Sequence, residues 1–255
     1  MTLLVASLGE RARVTLDGPH HNAIDVATWR ALRSAFGNFA KDQSLRCVEV
    51  TGAGGHFAAG ADISEFAVER RDLASVRHYH EEIIAPALDA IWRCPCPVIA
   101  KIEGDCVGGG LEIAACCDLR YASHAARFGV PIGRLGFSMA PDEMAALLRV
   151  AGPAVSAELL LEGRLLSAGE ALARGLISRS LPAAELGAEV DAAITRICSQ
   201  APLALRINKR LLRELSNATL GPAEREFAFS YAETRDHAEG VRAFIEKRVP
   251  KFQNR

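Results

Sequence analysis

Apolar residues along this chain recur in two rhythms: short β-branched runs closed by glycine or proline, and longer stretches whose apolar positions return every three or four residues. Three of the runs read as buried strands: Cys47 to Thr51 stopping at Gly52, Pro97 to Ile102 stopping near Gly104, and Leu119 to Ala122. Near-continuous apolar runs of this length are the kind that a parallel sheet covers on both faces. Leu3-Leu4-Val5 at the N-terminus is strand-like as well. Between the first two runs, Val76, Tyr79, His80, Ile83, Ile84, Ala87, Leu88 and Ile91 fall at helical spacing and predict a crossover helix. Pro86 should kink it, because proline lacks the N–H and crowds the preceding turn. The alternation predicts an α/β core with largely parallel strands.

Farther along, Ser167-Ala168-Gly169-Glu170 has the form of a capping box, with Gly175 placed to end the helix it starts. Asp236 and Glu239 repeat that spacing near the C-terminus. From about Ala183 onward the strand signals stop, and amphipathic helices carrying Leu203, Ile207, Leu211, Phe227, Tyr231, Val241, Phe244 and Ile245 take over. The expected organisation is an α/β core over residues 1–195 followed by a helical region over 196–255. No repeat of fixed period or low-complexity tract is present.

With 255 residues the chain can bury a substantial core without disulfide or metal staples. Thirty basic residues against thirty-one acidic ones, with no long run of one sign, give no footprint for nucleic acid. Seven cysteines is an odd number, and Cys47, Cys106, Cys116 and Cys117 sit in apolar runs as reduced, buried thiols would. Cys94 and Cys96 flank Pro95 at the wrong spacing for a redox or zinc motif, and His78, His80 and His124 have no zinc-site spacing, so no metal is assigned. His20, His21 and His56 lie in polar turns and are not taken as bases. Neither a signal peptide nor a membrane span is visible, so the expectation is a cytoplasmic protein with no membrane partner.

Two glycine-rich loops follow predicted strands. One runs from Thr51 through Gly52, Gly54, Gly55 and Gly60 to Asp62, and the other from Gly104 through Gly108-Gly109-Gly110 to Glu112. Bare backbone in such loops can aim N–H groups at an oxygen that a side chain would crowd. Neither loop has the GxGxxG order of a dinucleotide site. The second enters Leu111 to Cys117, an apolar helical stretch whose start carries partial positive charge. Glu112 is the only ionisable residue between Val107 and Cys117 and should be at least partly buried there, as a reacting group or as a carboxylate satisfying free N–H groups.

These residues carry a resemblance. From Val14 to Phe252 the chain resembles the enoyl-CoA hydratase/isomerase (crotonase) family: Asn22-Ala23, the FxxGAD loop from Phe57 to Asp62, the PVIAxIxGxxxGGGxE block from Pro97 to Glu112, and the CDxRxA strand from Cys117 to Ala122. Phe128 to Pro131, Gly163 with Ala168 to Ile177, and Ala243 to Arg248 extend it. The resemblance implies a superhelix of ββα repeats with C-terminal helices that assemble trimers or hexamers. It implies an acyl-CoA substrate and no cofactor. It also implies an oxyanion hole made by the N–H groups of Ala61 and Gly109, and Glu112 as catalytic base and acid. Ala59, Ala61, Asp62, Ile63, Ser64 and Gly109 would line the CoA and pantetheine channel, and Lys251 would reach the CoA phosphates of a neighbouring subunit.

The chain departs from the family pattern at one place. Two-carboxylate hydratases carry a second Glu directly after the FGxP segment, where this chain has Ile132. Asp142 or Glu143, at an expected helix start, could supply the missing acid, and either could equally serve that helix end. The leading expectation is double-bond isomerisation or water addition on an enoyl-CoA thioester, with isomerisation the easier where Ile132 replaces the second carboxylate; decarboxylation or retro-aldol cleavage on the same oxyanion hole is the alternative, and a non-catalytic acyl-CoA- or RNA-binding role the alternative of another class. The wall of the acyl pocket should come from Phe66 to Ile84 and from residues 132–145.

Overall fold

A computed structural model describes residues 1–215, 223, 227 and 230–254. The main sheet has six strands: β1 (Thr2–Leu8), β2 (Arg11–Asp17), β3 (Cys47–Gly52), β4 (Val98–Ile102), β6 (Leu119–Ser123) and β9 (Arg179–Leu181), neighbours in that order. Within this sheet, among the described residues, only the β1–β2 hairpin is antiparallel and the later pairings are parallel. A second sheet joins β5 (Asp105–Val107), β7 (Arg127–Gly129) and β8 (Leu166–Ser167), pieces too short for a periodic signal in the sequence. On β2, Ala12, Val14 and Leu16 turn inward while their neighbours do not. Cys47 to Thr51 of β3 are buried on both faces, because helices cover both sides. On one side the helices Val26–Phe39, Ala85–Trp92, Gly109–Cys116 and Pro141–Ala157 enclose the large core around Trp29, Phe36, Ile91 and Leu111. On the other, Leu186, Val190, Ala193 and Ile194 of the helix Ala183–Cys198 pack on Cys47, Ile99 and Tyr121.

That helix runs through residue 195, so a division there falls in mid-helix. The next helix, Pro202–Leu215, is fastened back onto the core. Buried Lys209 donates from Nζ to the Cys96 carbonyl at 2.6 Å and pairs with Asp118 at 2.7 Å, and Arg213 reaches the other oxygen of Asp118 at 2.7 Å. Asp236 is not a cap, contrary to the spacing argument. Thr234 caps the helix Arg235–Ile245 by accepting from the His237 N–H, while Asp236 is buried and accepts from the backbone of Gln253 and Asn254, closing the C-terminal segment onto the helix.

The Ser167 capping box forms, with Gly175 in the left-handed region just beyond the helix it opens. Around Pro86 the crossover helix widens: His78–Ile84 forms a π-helical turn in which the Ala85 N–H bonds to the His80 carbonyl, five residues back. A widened register is one way a helix admits a proline that cannot donate. The stretch Pro141–Glu162 is long and apolar enough to cross a membrane by length and composition. It is interrupted at Gly152 (φ 70°, ψ 170°) before Pro153, and it buries Glu143, Ala146, Leu147 and Val155.

Candidate active site

The glycine loops meet because the chain clamps them together. Ala59 N–H donates to the His21 carbonyl, Ile24 N–H to Gly60, and Asp62 N–H to Ile24, which fixes residues 59–62 against residues 21–24. Asn22 secures the same corner, its amide nitrogen donating to the carbonyls of Ala53 and His56 at 2.9 Å each. On the other side, Phe57 and Ala58 donate to the Asp105 carbonyl and Val107 donates to Ala58, stitching the loop to β5. Ala61 is skipped by this alternation. Its N–H and that of Gly109, the first residue of the helix Gly109–Cys116, have no acceptor among the described residues. Gly60 (φ +105°) and Gly108 (φ +51°) bring the two strands of backbone together: a Cβ on Gly60 would stand 3.2 Å from the Val107 oxygen and 3.7 Å from the Gly109 nitrogen. A side chain at Gly60 would crowd the Val107 oxygen, and at Gly108 the left-handed backbone angle itself favours glycine.

Ala61 and Gly109 open onto one cavity of about 280 Å³, whose walls include Trp29, Ala59, Ile63, Phe66, Arg70 and His80, then Ile84, Glu112, Ile132, Phe137, Met139 and Glu143. Its far wall therefore comes from the segments 66–84 and 131–143. Glu112 is buried in it, and no hydrogen-bonding partner for its carboxyl is found among the described residues. Burial, then the charge of nearby Glu143, pushes the Glu112 carboxyl well above the usual carboxylate range, and Arg70 opposes the shift. Glu143 is also buried, with Oε1 2.5 Å from Nδ1 of His80, itself 8% exposed. Beyond this cavity lies a wider cleft of about 1030 Å³ that shares Phe66, Arg70, His80, Phe137 and Glu143 with it.

Glu143 shares the cavity of Glu112, whereas Asp142, one residue earlier, is exposed and borders only the outer cleft. Ile132 lines the cavity from the position where a second glutamate was absent. Ala59 and Ile63 line it too, while Asp62 and Ser64 stand outside, Ser64 donating to the Asp62 side chain and holding that carboxyl below its ordinary range. Lys251 is exposed in the C-terminal segment, its N–H bonded to Glu239, and it does not line this cavity. Sequence reasoning missed His80 and Arg70. The signal for His80 was present, an ionisable residue on an otherwise apolar helical stripe; for Arg70 there was none.

A second cluster has the residue types of a metal site but not the geometry. His21, His56 and Asp105 bring three ligand atoms within 4.8 Å of one another. The two imidazoles are stacked, with centroids 3.6 Å apart and planes 9° apart. Ring-nitrogen lone pairs lie in the ring planes, so two parallel rings cannot both aim at one ion. Asp105 is in addition held by Arg127 at 2.6 Å. This cluster fastens the second glycine loop.

A cavity that joins two free backbone donors to buried carboxyls has the parts of an enzyme that handles a carbonyl oxygen as it gains negative charge. The comparisons with known proteins agree. The family model described as enoyl-CoA hydratase/isomerase matches residues 10–255. A probable enoyl-CoA hydratase of Mycobacterium bovis is 33% identical over 258 residues, covering 100% of this chain and 98% of the relative. The 2,3-dehydroadipyl-CoA hydratase of Escherichia coli K12 is 31% identical, with 100% of both chains covered. A crystal structure of an enoyl-CoA hydratase/carnithine racemase from Magnetospirillum magneticum superposes with a TM-score of 0.96 at 41% identity, covering 99% of this chain and 96% of that one. The chain belongs to the enoyl-CoA hydratase/isomerase family and has its crotonase fold. It is an enzyme of the hydratase/isomerase type, in a family that acts on acyl-CoA thioesters.

Proposed function

We propose that this enzyme adds water across the double bond of a 2-enoyl-CoA, with Glu112 and Glu143 as its two carboxyls. The observation that carries the reading is that these two buried residues line one cavity headed by the free N–H groups of Ala61 and Gly109. The thioester oxygen accepts from both N–H groups. Glu143, oriented by His80, takes a proton from water as its oxygen bonds to the β-carbon; the π electrons move toward the carbonyl, and the thioester oxygen gains charge. Glu112, the carboxyl that burial and its neighbour favour in the protonated form, then delivers a proton to the α-carbon. Proton return from Glu143 to Glu112 through solvent resets the pair. No prosthetic group enters this scheme. Glu143 thus takes the part left vacant by Ile132.

The test compares two neighbouring variants on a 2-enoyl-CoA and a 3-enoyl-CoA. Glu143→Gln should lower hydration by on the order of a hundredfold or more while sparing a double-bond shift that needs one carboxyl, and Asp142→Asn should change neither. Hydration that survives Glu143→Gln unchanged would sink the assignment.

The surroundings of the site we read as follows. Ala59, Asp62, Ile63 and Ser64 border the CoA arm, and Lys251 serves the CoA phosphates of a neighbouring subunit. The C-terminal region from residue 196 builds a trimer or a pair of trimers: Phe244, Ile245 and Val249 are 86%, 73% and 79% exposed, an apolar surface that a lone chain leaves in water. Light scattering that finds a monomer at micromolar concentration would overturn this. All seven cysteines are free thiols, which fits the reducing cytoplasm.

A further inference from the structure

Arg70 is a half-buried cation on the cavity wall with no ionic partner among the described residues. It follows the short helix Phe66–Glu69 and sits where the cavity of Glu112 opens into the outer cleft, lining both. Its guanidinium lies over the rings of Phe66, Phe137 and Tyr79, 4.2, 3.9 and 5.4 Å from their centroids. Its Nε is buried with no acceptor. The nearby carboxyls do not explain it. Glu143 gives Oε1 to His80, and neither Glu143 nor Glu112 comes within ion-pairing distance of Arg70. Burial lowers the Arg70 pKa, the mark of a cation held away from water. Arg134, the other arginine on this wall, is exposed and donates to the Gly163 carbonyl.

Desolvating a guanidinium is costly unless something answers its charge. Three aromatic rings answer part of it but leave the N–H edge, whose fork geometry matches a carboxylate. Glu143 is paired with His80, and Glu143 and Glu112 act on Arg70 only through space, so its N–H edge has no ion pair among the described residues. Arg70 lines the same cavity as Ala61, Gly109 and Glu112, the space into which a thioester anchored at those two donors would extend its acyl chain. We propose that Arg70 receives a terminal carboxylate on the acyl chain, so that the preferred substrates are 2-enoyl-CoA thioesters of dicarboxylic acids. This rests on the hydration reading above and adds to it the chemical class of the acyl group.

The experiment measures kcat/KM for a series of straight-chain 2-enoyl-CoA thioesters of graded length, each with a methyl end and with a carboxylate end, in wild type, Arg70→Met and Arg70→Lys. Wild type should prefer the carboxylate end at one matching length by on the order of a hundredfold, Arg70→Met should erase or invert that preference, and Arg70→Lys should keep part of it. The ratio of the two substrates is the readout, so a general loss of folded enzyme cancels. A wild type that prefers the methyl end at every length, or a ratio unmoved by Arg70→Met, overturns the proposal while leaving the hydration reading intact. If neither series is turned over, the hydration reading fails first. Calorimetric titration with free CoA closes the remaining route: weaker CoA binding by Arg70→Met would mean that Arg70 serves the CoA phosphates, and the proposal falls.

Discussion

The cavity has two walls made in different ways. One is backbone: Gly60 and Gly108 draw two loops together, Ala61 and Gly109 aim N–H groups from them, and Glu112 follows three residues into a helix. The other is made of side chains from separate segments, Arg70 after a short helix, His80 on a widened helical turn, and Ile132 and Glu143 from either side of a loop. The first wall has a fixed spacing along the chain because a glycine's position relative to the donor it frees cannot vary. The second has none, since its geometry exists only after tertiary packing. The fixed wall is suited to stabilising charge, and the assembled wall to choosing what is held against it.

The largest test of this division is Glu112→Gln. Keeping the shape and removing the proton carrier should lower turnover of any true substrate by on the order of a thousandfold or more, with acyl-CoA affinity within about tenfold of wild type. Stopped-assay kinetics beside calorimetry would separate the two. Next comes Gly60→Ala, which introduces a Cβ 3.2 Å from the Val107 oxygen at a backbone angle that side chains rarely adopt. A displaced Ala61 donor should cost about a hundredfold in kcat, comparable to losing one oxyanion contact; a variant as fast as wild type would mean that the Ala61 N–H does not touch the reacting oxygen.

On the assembled wall the effect should be smaller. His80 acts through Glu143, so His80→Gln is expected to lower kcat about tenfold with little change in KM, because the carboxyl loses the group that orients it. An unaltered kcat would reduce the 2.5 Å contact to packing. The smallest effect is on stability. Glu112 has its carboxyl raised above the ordinary 4.5 by burial, so the folded state holds its proton more tightly than the unfolded chain. Stability is then unaffected below the ordinary value and falls as pH rises toward the folded one. Glu112→Gln removes this penalty: its Tm should exceed that of wild type by a few degrees at neutral pH and match it in acid. A gap that grows on acidification would reverse the sign.

The same contrast explains what could be read from the chain. The strands at 47–52, 98–102 and 119–123 were legible because apolar runs between turn residues have few other uses, and the glycine wall was legible because its function dictates residue types in order. The second sheet was not, since β5, β7 and β8 are two or three residues long and paired only by tertiary contact. Asp236 misled because a capping box and a carboxylate holding a distant chain end use the same residue types; only the fold shows that Thr234 takes the cap. Glu143 could be named only as one of two neighbouring acids, and the phase of its helix decides that it faces in and Asp142 out.

The widened turn at His78–Ile84 gives the assembled wall a particular kind of adjustability. Each residue advances an α-helix by about 100°, so the additional residue that a π turn absorbs sets which side chains upstream of it look into the cavity. Removing one residue from this turn would re-index the stripe and carry His80 away from Glu143, an alteration that no exchange of one side chain for another can reproduce. A structure of such a deletion variant would reveal the change as loss of that contact. Along this wall, insertion and deletion are therefore a second alphabet in which specificity can be written, one that leaves the glycine wall and its donors untouched.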